Sequence, residues 1–168
     1  MVKVCAHHGA QRGLILLALL LMLVLAGLGS LVAAEVWATT MQREREAQLL
    51  FVGDEYRRAI TSYYQMTPSP VKVFPRTLND LIEDDRFPTR VQHLRRLYPD
   101  PITGGDWELV KLGEGIVGVH SSSEAETLKK AGFPRQYREF EVAKTYDKWL
   151  FVATPSSVAP LRVTSPNP

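Results

Sequence analysis

Leu14 to Ala34 is a run of 21 residues without a charge, ten of them leucine. At about 1.5 Å rise per residue, a helix of that length is about 31 Å long, close to the hydrocarbon thickness of a bilayer. Three readings follow. The run is a permanent single-span anchor, a secretion signal removed after Ala34, or the stem by which a subunit polymerises. Val32-Ala33-Ala34 offers the small residues a signal peptidase takes. The apolar run, however, exceeds the usual length of about 7–15 residues and has no breaker before that point. Lys3 and Arg12 precede the run, whereas the chain from Glu35 onward carries 18 basic and 18 acidic residues. The positive-inside rule then predicts a single-pass protein, its N-terminus in the cytoplasm and its C-terminal domain across the membrane.

A neutral C-terminal domain excludes a general electrostatic attraction to nucleic acid, which relies on clustered Lys and Arg. Cys5 is the single cysteine. No disulfide framework is available, and the stability of the domain must come from a packed core.

Beyond Ala34 the helical pattern continues. Leu49, Val52, Tyr56, Ile60 and Tyr63 recur at spacings of three or four on an otherwise charged stretch, the mark of one buried stripe. Gly53 is a tolerable blemish, and Pro68 with Pro70 is the first hard stop. The spacing therefore predicts one helix from about Leu14 to Met66. In "VFPRTLNDLIEDDRFP", Thr77 with Asp80 is a capping box and opens a short helix. "YPDPITGGD" reads as a loop. "WELVKL" (Trp107 to Leu112) and "IVGVHS" (Ile116 to Ser121) read as two strands joined by "GEG". A second capping box, Ser123 with Glu126, predicts a helix through about Lys130, and "REFEVA" and "KWLFVA" are further strand candidates. From Pro155 the tail is rich in Pro and Ser, a composition of loosely ordered chain. The fold class is α+β: a long N-terminal helix, transmembrane in its first half and amphipathic in its second, on a small antiparallel sheet.

Little in the residues points to catalysis. "GEGIVG" (Gly113, Gly115, Gly118) has the G-x-G-x-x-G spacing, but it leads into β-branched residues rather than opening a helix, as a dinucleotide site requires. There is no H-E-x-x-H, no C-x-x-C and no nucleophile elbow. His120 beside Ser121 is not a pair, since neighbouring strand residues face opposite sides. The acids of "IEDDR" read as a solvated loop. Asp100, Asp106, Glu114, Glu124 and Glu126 are the candidate calcium ligands, because hard cations take several oxygens, although their spacing fits no EF-hand. No catalytic residue and no other cofactor is expected. The chain is read as a non-enzyme.

The order of these pieces carries a resemblance. A basic leader ends in Arg12-Gly13, and an apolar helix follows at once. "YRRAITSYY", "FPRTLNDLIEDD" and "RRLYPDPITGGDWELV" come in sequence after it. This layout resembles the type IV pilin-like proteins, in particular the pseudopilins of type II secretion, nearest the G-type major pseudopilin. The resemblance implies a leader over residues 1–13, cleavage between Gly13 and Leu14 by a prepilin peptidase, and N-methylation of Leu14. It implies a transmembrane and polymerisation helix over 14–34, with Leu14, Ala18, Leu21 and Leu25 as assembly positions. A periplasmic domain over 35–154 and a flexible tail over 155–168 complete the chain. The implied partners are the cytoplasmic membrane, other pseudopilin subunits and an inner-membrane secretion platform. The stripe from Leu49 to Tyr63 would hold the domain to the stem. Ala18 stands where the family usually has Glu at the fifth mature position. A rival reading is a membrane-anchored periplasmic binding module that does not polymerise and recognises a ligand through "PDPITGGD".

Overall fold

The computed structural model describes residues 8–154, with side chains described for residues 14–25 and 37–154. Residues 1–7 of the expected leader over 1–13, Cys5 among them, and the expected flexible tail over 155–168 lie outside the described residues. The chain divides into two compact units, Met1–Gln42 and Arg43–Pro168. Helix α1, His8–Gln65, contributes to both.

In the first unit α1 is apolar from Leu14 to Leu25. Among the described residues no helix is long and apolar enough to cross a membrane. This corrects two expectations: the transmembrane half of the long helix, and the single-pass placement in the inner membrane with a periplasmic domain. The side chains of 26–34, the rest of the expected span, lie outside those described.

The second unit is α+β, built on α1 from Arg43 to Gln65 and a three-stranded antiparallel sheet in the order β1-β2-β3. The strands are β1 (Glu108–Leu112), β2 (Gly115–His120) and β3 (Phe151–Val152). β1 and β2 form the expected hairpin, with Glu108 opposite His120 and a register shift between Val110 and Lys111. Gly113 turns the hairpin at φ +63°, in the left-handed region that glycine adopts without strain. Gly118 is fixed by close approach instead: a β-carbon there would stand 2.6 Å from the Phe151 carbonyl oxygen.

The core forms where α1 meets the sheet. Leu49, Val52, Tyr56, Ile60 and Tyr63 are all buried in it. Aromatic rings fill the rest. Phe140 stacks on Trp149 with centroids 5.2 Å apart and on Tyr137 at 4.9 Å, while Phe151 meets Trp107 edge-on. The Tyr56 hydroxyl donates to the Tyr98 carbonyl (3.0 Å) and accepts from the Tyr98 amide (2.9 Å). This satisfies a buried polar tip and pins the loop ahead of β1 to the helix.

Three local expectations change. Thr77 and Asp80 do open a helix, but it is a single 3-10 turn, Leu78–Leu81, and the Asp80 carboxylate accepts from the Thr77 amide at 3.1 Å. "REFEVA" lies in the 3-10 segment Arg135–Glu141 rather than a strand, and it buries Tyr137 and Phe140, which fall three residues apart. The helix expected from Ser123 to Lys130 is absent. There the chain is tied sideways: the Thr127 amide donates to the Lys144 carbonyl (2.9 Å), and the Asp147 amide to that of Ser123 (2.9 Å). Those backbone groups are committed to other segments and unavailable for a helical ladder.

Candidate functional site: the apolar surface of helix α1

The expected assembly positions fall on exposed helix. Gly13 and Leu14 both lie in the helical backbone of α1, and Leu14 is 72% exposed. Ala18, Leu21 and Leu25 are exposed as well. From Leu14 to Leu25 every described side chain is apolar, and the large ones are 53–72% exposed. They point around the whole circumference, since twelve consecutive residues make more than three turns. A helix apolar on all sides is stable only where something covers it. This surface can bury area against another apolar helix. It offers no group for acid, base or nucleophilic chemistry.

The candidate calcium ligands are not brought together. Asp100 is fully buried, and its carboxylate accepts from the Ile102 amide (2.9 Å), the Thr103 hydroxyl (2.7 Å) and the Ser121 hydroxyl (2.6 Å). It holds the "DPITGG" loop closed from within. Asp106 is exposed, Glu114 pairs with Arg76 at 3.3 Å, and Glu126 is an exposed residue bridged by its backbone to Thr145. Glu124 is exposed. Among the described residues no group of three or more His, Cys, Asp or Glu side chains could hold a metal ion.

Besides Asp100, the second unit buries three further carboxylates, Asp84, Asp54 and Glu46. Asp84 of "IEDDR" has a side chain with no exposure and is forked by Arg86, Nε to Oδ1 at 2.7 Å and Nη2 to Oδ2 at 2.5 Å. His93 Nε2 stands 3.2 Å from the same carboxylate, and its Nδ1 stands 2.9 Å from the Ser62 hydroxyl. Burial pushes the Asp84 carboxyl up, but the hydrogen bonds from Arg86 and His93 outweigh it and hold it at about 2. Ser, His and Asp in a row are the residue types of a hydrolytic triad. Here the carboxylate is taken by Arg86, and the histidine side chain is 1% exposed. Arg86 also donates to the Tyr63 carbonyl (2.9 Å) and the Thr67 hydroxyl (2.8 Å), and it lies 3.5 Å over the Tyr63 ring. Lys72 donates to the Gln65 carbonyl (2.9 Å). Two cations thus satisfy the carbonyls left open at the C-terminus of α1, where positive charge is favoured.

Asp54 accepts from the Tyr137 hydroxyl, from Arg57 (2.8 Å) and from Gln136 (3.2 Å), and pairs with Arg58. Burial and the bond to Asp54 push the Tyr137 phenol up to about 12. Glu46, 3% exposed, accepts from the amides of Leu128 and Lys129, each at 3.0 Å. Asp84 had a faint sequence signal, an arginine two residues on. Glu46 had none, because its partners are backbone amides more than 80 residues away.

Compared with known protein families, with curated proteins and with solved structures, the chain matches none of them.

Proposed function

We propose that the chain is a structural subunit rather than an enzyme, and that it assembles with further subunits through the apolar part of α1. The manner is that of the pilin-like proteins, nearest the pseudopilins of type II secretion. The observation that supports this reading most strongly is the segment Leu14–Leu25, whose large side chains are 53–72% exposed on every side of the helix. Packing against the same segment of neighbouring subunits covers that surface, and it does so without a polar group to satisfy. The second half of α1 carries the folded unit through Leu49, Val52, Tyr56, Ile60 and Tyr63. Each subunit therefore brings one α+β unit into the assembly.

In this reading a prepilin peptidase cuts between Gly13 and Leu14, and the new N-terminus at Leu14 is methylated. Leu14, Ala18, Leu21 and Leu25 lie within the packed segment, and the partners are other pseudopilin subunits and a secretion platform. The test is sedimentation of the chain released from its native cells. The wild type is expected as oligomers, and the Leu17→Asp/Leu21→Asp variant as monomers with an unchanged near-UV circular dichroism spectrum. A wild type that sediments as a monomer under the same conditions contradicts the proposal.

A further inference from the structure

The second unit carries a groove of about 370 Å³ between α1 and the segment 128–131. Its wall on α1 is Arg43, Glu46, Ala47 and Leu50, which share one helix face at the spacing i, i+3, i+4 and i+7. Ala47, Leu50 and Leu128 make an apolar floor, and Arg43, Lys129 and Lys130 bring positive charge to it. Glu46, the acid of the lining, is 3% exposed and spent on the Leu128 and Lys129 amides. Neutral groups, rather than acids, hold the two lysines. Lys129 Nζ lies 5.1 Å from the centre of the Phe133 ring, and Lys130 Nζ donates to the Thr127 hydroxyl at 2.9 Å. Among the described residues, none of Arg43, Lys129 and Lys130 makes an ion pair. Glu44 and Glu126, the next acids along the chain, are not part of the lining. The stretch 135–144, tied to Thr127 through the Lys144 carbonyl, does not offset the charge either: Arg135, Arg138 and Lys144 stand there against Glu139 and Glu141.

We infer that the groove docks a short acidic peptide segment of another protein. One apolar side chain of that segment would enter between Leu50 and Leu128, and the acids on either side of it would meet Arg43, Lys129 and Lys130. The occupant is argued from charge. The two lysines are held in place before a partner arrives, and the three cations have no free acid of their own, so an acidic segment meets them uncompensated and partly ordered. The apolar wall on α1 runs from Ala47 to Leu50, about 5 Å of helix, which suits a single side chain and is too short for an acyl chain. A nucleic acid asks for a longer basic stripe than three residues. The inference goes beyond the assembly reading and does not depend on it: assembly uses the apolar part of α1, whereas the groove belongs to the folded unit.

The experiment follows the fluorescence anisotropy of a labelled peptide, Glu-Glu-Leu-Glu-Glu-Leu, with the full chain in a neutral detergent that covers the apolar part of α1. Saturable binding is expected, and it should weaken as salt is raised. Arg43→Glu/Lys130→Glu changes two exposed positions, so the near-UV circular dichroism spectrum should stay the same while binding weakens by about tenfold or more. The same peptide with lysine in place of glutamate should bind that variant and not the wild type. Ala47→Glu sets an acid at the floor and should abolish binding of the acidic peptide. Absence of saturable binding to the wild type overturns the inference, and so does equal affinity for the wild type and the charge-reversed variant. A wild type that ignores the peptide but binds micelles doped with phosphatidylglycerol assigns the cations to an anionic lipid surface and likewise overturns it.

Discussion

Replacing Gly53 with alanine should destabilise the folded unit, against the ordinary behaviour of a glycine inside a helix. A β-carbon at Gly53 would stand 2.4–2.5 Å from three atoms of the Phe151 ring, so the ring must retreat by about 1 Å to reach normal contact. It has little room to do so. Phe151 is fully buried, with Trp107, Tyr137 and Phe140 at centroid distances of 6.2, 5.5 and 5.3 Å. Overpacking of this kind costs about 1–3 kcal/mol, while the better helix propensity of alanine returns roughly 1 kcal/mol. The net loss is about 1 kcal/mol, or roughly 4 °C in Tm for a domain of this size. Thermal unfolding of the full chain, followed by tryptophan fluorescence, reads it directly. Phe151→Leu opens space at the same point, so Gly53→Ala should cost less in that background, with a coupling of about 0.5 kcal/mol or more. A Tm that rises with Gly53→Ala alone would refute the close approach of helix and strand on which this packing depends.

Three further outcomes follow from the buried acids and the N-terminus. Glu46→Ala leaves the Leu128 and Lys129 amides without their acceptor and should cost about 1–3 kcal/mol in denaturant unfolding, whereas Glu46→Gln keeps an oxygen there and should cost less. Asp84 has a folded pKa of about 2, depressed from 3.8. Its contribution of about 2 kcal/mol is therefore present above the unfolded value and is lost as pH falls from about 5 towards 2. Asp84→Asn should flatten that acid limb and lower stability at neutral pH, and an unchanged acid limb would argue against the Arg86 fork. Intact mass of the chain from its native cells should correspond to a start at Leu14 with one added methyl group; a start at Met1 or at Glu35 would contradict processing between Gly13 and Leu14.

The elements legible in the sequence are those set by local chemistry. The three-and-four spacing from Leu49 to Tyr63 marks the face of α1 that meets the sheet, Pro68 and Pro70 stand just past its end, and Gly113 marks the hairpin turn. Where long-range bonds compete, local signals fail. Ser123 and Glu126 have capping-box spacing, yet Glu46 and Lys144 draw the backbone of 127–129 away from a helix. "REFEVA" alternates like a strand, but the segment kinks at Tyr137 and brings Tyr137 and Phe140 together in the aromatic cluster, where their rings stack at 4.9 Å. Gly53 passes for a blemish because its reason, Phe151, lies 98 positions further along the chain. Asp84 and Glu46 pass for solvated acids because their partners assemble only when α1 meets the loops. The apolar run reads as a membrane span from hydropathy alone, whereas among the described residues no helix is long and apolar enough to cross a membrane.

The assembly reading meets its most direct test in cysteine crosslinking along α1 in native cells, with Leu17→Cys or Leu21→Cys in a Cys5→Ser background. Neighbouring helices packed through Leu14–Leu25 should give disulfide-linked dimers from either position, and a regular ladder of larger species when the two substitutions are combined. A control with cysteine at the exposed Val71 should give no ladder. Monomers alone from Leu17→Cys and Leu21→Cys, under oxidation that crosslinks a known neighbour pair, would contradict assembly through this helix.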